Sequence, residues 1–90
     1  MSSIYGYYNG TLTAGGSSFG AFTTVTKIND NLFSMRIGQT GMGVSMGIDS
    51  VTVTPGTTNY SLSKSGGLSG TIDGTTLTWS DPYYSFTGTK

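Results

Sequence analysis

The sequence predicts an all-β protein, a small closed antiparallel meander barrel of about eight short strands, with a β-sandwich as the alternative. Three observations carry this. Hydrophobic residues recur with period two, and no segment has helical period. Turn residues punctuate the chain at a spacing near ten residues. Gly, Ser and Thr supply 44 of the 90 residues, while Ala14 and Ala21 are the only alanines.

In the first segment Ile4, Gly6, Tyr8, Gly10, Leu12 and Ala14 share one face, and Tyr5, Tyr7, Asn9, Thr11 and Thr13 the other. Such a strand has one core face and one wet face. Gly15-Gly16-Ser17-Ser18 turns the chain into a second strand over 19–28. Asn29-Asp30-Asn31 forms the next turn, because Asn and Asp tolerate left-handed backbone and bond their own main chain. Phe33, Met35 and Ile37 are then in phase before 38–41 breaks the pattern. Met42, Val44, Met46 and Ile48 are expected to point inward, followed by Val51 and Val53 until Pro55-Gly56. Tyr60 and Leu62 make a short strand. Leu68, Gly70 and Ile72 lead to Asp73-Gly74, read as a type I′ hairpin turn with positive φ at both central residues. Leu77 and Trp79 precede Asp81-Pro82, and Tyr84, Phe86 and Gly88 form the last face. That makes eight or nine strands in a single domain spanning 1–90. Adjacent hairpins favour closure of first strand on last, which removes exposed edges. Gly-Thr pairs at 10–11, 56–57, 70–71, 74–75 and 88–89 recur at strand ends without a fixed period.

The composition excludes much chemistry. There is no His, no Cys and no Glu. Lys27, Arg36, Lys64 and Lys90 balance Asp30, Asp49, Asp73 and Asp81. Four scattered cations lack the clustered positive charge with which proteins neutralise phosphates, so no nucleic-acid partner is expected. No apolar run approaches the ~20 residues of a transmembrane helix, and no cationic segment leads into an apolar one as in a signal peptide.

The Asp residues sit mainly in turn sequences, and a Ser nucleophile would have only a lysine as base, so no enzyme activity, catalytic residue or cofactor is expected. Asn29-Asp30-Asn31 offers oxygen ligands for Ca²⁺, but a useful site wants six or more oxygens and several carboxylates. Met35, Met42 and Met46 offer thioethers for Cu(I), yet their alternation with Gly and Ser reads as core packing. No metal site is expected.

Eleven residues are aromatic. Tyr8, Phe22, Phe33, Tyr60, Trp79, Tyr84 and Phe86 are expected core. With the aliphatics and Met they make about twenty inward candidates, enough to fill a barrel this small, so a small-molecule ligand is not expected. Tyr5, Tyr7 and Tyr83 fall on the outward phase, where Tyr offers apolar area with a polar tip. Two sequons, Asn9-Gly10-Thr11 and Asn59-Tyr60-Ser61, are matched by chance in a chain this rich in Ser and Thr.

The stretch 5–13, Tyr-Gly-Tyr-Tyr-Asn-Gly-Thr-Leu-Thr, resembles the first strand of calycin-like β-barrel domains of secreted Bacteroidetes proteins. The 70–78 hairpin, Gly-Thr-Ile-Asp-Gly-Thr-Thr-Leu-Thr, resembles their penultimate hairpin, and Phe86-Thr87-Gly88-Thr89-Lys90 their closing strand. The middle, 19–64, matches in strand rhythm only. The resemblance implies a calycin/lipocalin-like barrel of about eight strands in an exported bacterial protein, extracellular, periplasmic or on the outer surface and often a lipoprotein. It implies no activity.

The function expected is therefore non-catalytic binding of a macromolecular partner, a protein, through loops or outer strand faces. Candidate contacts are Tyr5, Tyr7, Tyr83, Gln39, Thr40, Thr57 and Thr58. A protease inhibitor presenting a rigid loop, from 38–41, 55–59 or 63–67, is one alternative. A small hydrophobic-ligand carrier or a structural module of a larger surface protein is the other.

Overall fold

A computed structural model describes residues 4–41 and 43–90; Met1 to Ser3 and Met42 lie outside the described residues. Eight strands follow one another: β1 Gly6–Ala14, β2 Ser17–Asn29, β3 Leu32–Gln39, β4 Val44–Pro55, β5 Tyr60–Lys64, β6 Leu68–Asp73, β7 Thr76–Ser80 and β8 Tyr84–Thr89. Each pairs antiparallel with the next, and β8 pairs back on β1 to close the barrel. The expected meander barrel is thus the fold, and the sandwich alternative is not.

Tight turns hold the register. Ala14 pairs with Ser17 across Gly15 and Gly16, both at positive φ (58° and 87°), as a two-residue hairpin of matching twist requires. The Asn29 side-chain oxygen accepts the Asn31 N–H at 2.9 Å, the expected Asx turn. The 73–76 hairpin differs from expectation. Asp73 pairs with Thr76, so Gly74 and Thr75 are the central residues. Only Gly74 takes positive φ (64°), because glycine alone adopts it without a steric cost, and this is the II′ rather than the I′ pattern.

The core runs through Tyr8, Leu12, Val25, Phe33, Met35, Ile37, Val51, Val53, Leu62, Leu68, Ile72, Leu77, Trp79 and Phe86. Trp79 and Phe86 stack with centroids 6.2 Å apart. The Trp79 indole N–H donates to Thr23 Oγ1 at 3.3 Å, which explains a buried threonine on the inner face. At the β1–β8 seam Gly10 pairs with Gly88. A Cβ on Gly10 would fall on the Thr87 carbonyl oxygen and the Gly88 Cα, so the closing strands approach as only glycine permits.

Three inward or outward assignments need correction. Phe22 is buried but lies on the outer wall, since Ala21, Thr23 and Val25 take the inner positions of β2. Its ring reaches over Gly38 of the neighbouring strand, 2.7 Å from where a Cβ would stand there. Val44, expected inside, is 56% exposed. The β3–β4 ladder pairs Ile37 with Met46 but Gly38 with Val44, so one extra residue on β4 flips the phase. A second irregularity between Phe33 and Met35 accommodates Asp49 and Ser50, with Ser50 at φ 60°, and keeps 44–55 one strand. Tyr5, expected outside, is part-buried just before β1 and packs against the core; the strand alternation ends there, and the segment is held by the inward Tyr8 hydroxyl on the Ile4 carbonyl and by Lys90 on the Tyr5 carbonyl.

Candidate functional site

In a closed meander the hairpin ends alternate. The β1–β2, β3–β4, β5–β6 and β7–β8 turns gather at one end, and the other three turns gather at the opposite end with residues 4–5 and Lys90. The two ends are built differently.

At the end carrying the chain termini, the inward Tyr8 hydroxyl donates to the Ile4 carbonyl at 2.6 Å. The Lys90 ammonium donates to the Tyr5 carbonyl at 2.6 Å and stands 5.5 Å from the Tyr8 ring centre. Ile4, Tyr5 and Tyr60 pack on the core from this side. Burial pushes the Tyr8 hydroxyl pKa up.

At the other end a cavity of about 440 Å³ opens to solvent, lined by Leu12, Phe19, Ile37, Gly38, Gln39, Met46 and Tyr84. Strand alternation places these side chains. Leu12 and Ile37 are buried inward residues and form the floor. Phe19 and Tyr84 are the last large inward residues of β2 and β8 at this end, and with Met46 they form part-buried walls. Gln39 continues the inward row of Phe33, Met35 and Ile37 and puts an amide on the rim. The cup is within the size of small-molecule sites, and the mouths of β-barrels are a usual place for them. This corrects the expectation of a filled barrel: the inward residues are as numerous as expected, but they do not fill this end.

The rim is organised by Asp81. Its Oδ1 accepts the N–H groups of Tyr83 (2.8 Å) and Tyr84 (2.7 Å), while its own N–H donates to the Tyr84 carbonyl at 2.9 Å. This turn fixes Tyr84 in the wall and leaves Tyr83 78% exposed beside the mouth.

The seven candidate contacts are therefore dispersed. Gln39 lines the cup, and Thr40 and Tyr83 lie on turns at the same end. Tyr5, Thr57 and Thr58 belong to the opposite end. Tyr7 is on the outer wall, 51% exposed and stacked on Phe22 with centroids 5.2 Å apart and rings 19° from parallel. With Val44 across Gly38, Tyr7 and Phe22 form an outer apolar face that the sequence reading missed. The 63–67 and 38–41 loops reach the open end and the 55–59 loop the closed one. Of the three candidate copper ligands, Met35 is buried in the core, Met46 lines the cup and Met42 lies outside the described residues. Among the described residues no three His, Cys, Asp or Glu side chains cluster, and no helix is long and apolar enough to cross a membrane.

One signal in the sequence does mark the cup. Gln39 is a polar residue in inward phase, and a polar group at such a position is stable only where it meets water or, like Thr23, finds a buried hydrogen-bond partner. The phase change at Val44 has a weaker signal, the glycines 41 and 43 just before it, which mark a place where a bulge is tolerated. The chain matches no protein-family model, no curated protein and no solved structure, so this geometry is what its function is read from.

Proposed function

We propose that this is a non-catalytic binding protein whose ligand, a small apolar molecule, enters the open end of the barrel. The carrying observation is the cup of about 440 Å³ with Leu12 and Ile37 beneath and Phe19, Met46 and Tyr84 around it. Burying an apolar ligand there removes apolar surface from water on both sides, at roughly 25 cal/mol per Å². Placing it on a preformed strand framework avoids the cost of ordering a loop.

The test is a titration with the uncharged fluorophore N-phenyl-1-naphthylamine, read by its own emission. A saturable rise with one site per chain is expected, and Met46→Trp, which fills the cup, should weaken it at least about 10-fold. Emission that never saturates, or a Met46→Trp variant that binds as well as the parent, would reject the reading.

A second reading, a macromolecular partner at the outer strand face, is favoured by the Tyr7–Phe22 stack beside exposed Val44. Exposed Tyr with a hydrophobic neighbour is the composition of interface centres. Tyr7→Ser with Val44→Ser would abolish such binding and leave the fluorophore titration unchanged.

A further inference from the structure

We infer that the cup selects uncharged ligands and rejects those with an ionised head group, carboxylates above all. The inference rests on the cup being a ligand site and names the class of ligand it takes.

None of the seven lining residues is charged, and Gln39 contributes the one amide side chain. The turns around the mouth add little charge. Gly15, Gly16, Thr40, Gly41, Gly43 and 65–67 carry none, and the 81–83 turn carries only Asp81. The charge at the mouth nearest to a wall residue in sequence is thus negative, three positions before Tyr84, and its Oδ1 is already committed to two backbone N–H groups. A carboxylate entering here would meet an anion on the rim and no cation in the lining.

The four cations are engaged elsewhere. Lys27 pairs with Asp30 at 3.3 Å, at the turn of the closed end. Lys90 is held on the Tyr5 carbonyl at that same end. Arg36 lies on the outer wall, bonded to Asp49 at 2.8 Å and to its neighbour's carbonyl, Met35 O, at 3.1 Å. Lys64 ends β5 on the mouth side, but its ammonium donates to the Asp49 carbonyl at 2.5 Å and it does not line the cup. A buried ion without a partner either loses its charge or does not enter. A neutral ligand with one hydrogen-bonding atom loses nothing of this kind, because the Gln39 amide both donates and accepts.

The experiment is calorimetric titration of the full chain with three ligands sharing one apolar body: 2-naphthalenemethanol, methyl 2-naphthoate and 2-naphthoate, at about pH 7.5, where the free acid is fully ionised. The alcohol and the ester should bind with similar constants, and the carboxylate at least about 30-fold more weakly. Gln39→Lys, which puts a cation on the rim, should reverse the order and favour the carboxylate. Carboxylate binding within about threefold of the ester overturns the inference while leaving the site intact, and its loss in Lys64→Met would identify the recruited cation. If none of the three binds, the cup itself is not a ligand site and the inference falls with it.

Discussion

The two ends of this barrel are made by the same alternation of inward and outward residues, yet one is covered and the other open. At the closed end the Ile4-Tyr5 segment and Lys90 lie across inward residues, and the Tyr8 hydroxyl is tied to the covering backbone at Ile4. At the open end Leu12 and Ile37 are buried beneath a cavity, and the walls above them, Phe19, Met46 and Tyr84, stay part-exposed around it. What distinguishes the ends is which has chain laid across it, not how hydrophobic its inward residues are. A count of inward side chains therefore measures the core well and the cavity poorly.

That contrast can be broken at graded cost. The largest effect is expected from Trp79→Ala, which deletes a fully buried ring, its stack on Phe86 and its bond to Thr23. It should lower stability in urea by about 3–5 kcal/mol. Gly10→Ala comes next. The new methyl would meet backbone rather than a yielding side chain, so closure of the seam should cost about 1–3 kcal/mol or more, with faster amide exchange in β1 and β8.

Tyr8→Phe probes the covered end alone. It removes the hydrogen bond to Ile4 and should cost about 1 kcal/mol near neutral pH. The pH dependence has a definite sign. Burial raises the hydroxyl above its ordinary value of 10.0, so the folded state disfavours the phenolate. The stability due to Tyr8 is complete below that value and is lost as pH climbs through the raised folded value. Tyr8→Phe should flatten this alkaline decline in a series of urea midpoints. Met46→Ala at the open end is expected to be the mildest, about 1 kcal/mol or less because its surroundings are already unfilled, but to weaken apolar ligand binding measurably.

The sequence makes the strands legible wherever alternation is undisturbed. Tyr8, Gly10 and Leu12 in β1, Leu68 and Ile72 in β6, and Leu77 and Trp79 in β7 point as their phase requires. It is misleading in β2 and β4 for physical reasons. In β2 the inner face holds Ala21 beside Gly10 at the seam and Thr23 beneath the Trp79 N–H, so the large Phe22 goes outside and covers Gly38. Nothing local to β2 announces a partner 56 residues away. In β4 the extra residue opposite Gly38 reverses Val44, and period-two reading assumes no extra residue. The cup was the least legible feature. Whether the inward residues near Gln39 are covered depends on where the loops lie in space, and Gln39 itself, polar in an apolar row, is the one residue whose identity records the opening.

The most direct test of an open, ligand-accepting end is methyl NMR of the full chain during titration with 2-naphthalenemethanol. Saturable shifts should centre on Leu12, Ile37 and Met46, with the outer-wall methyls of Val44 and the buried Leu77 unmoved. Shifts centred on Val44, or no saturable shift at the three cup residues, would contradict it.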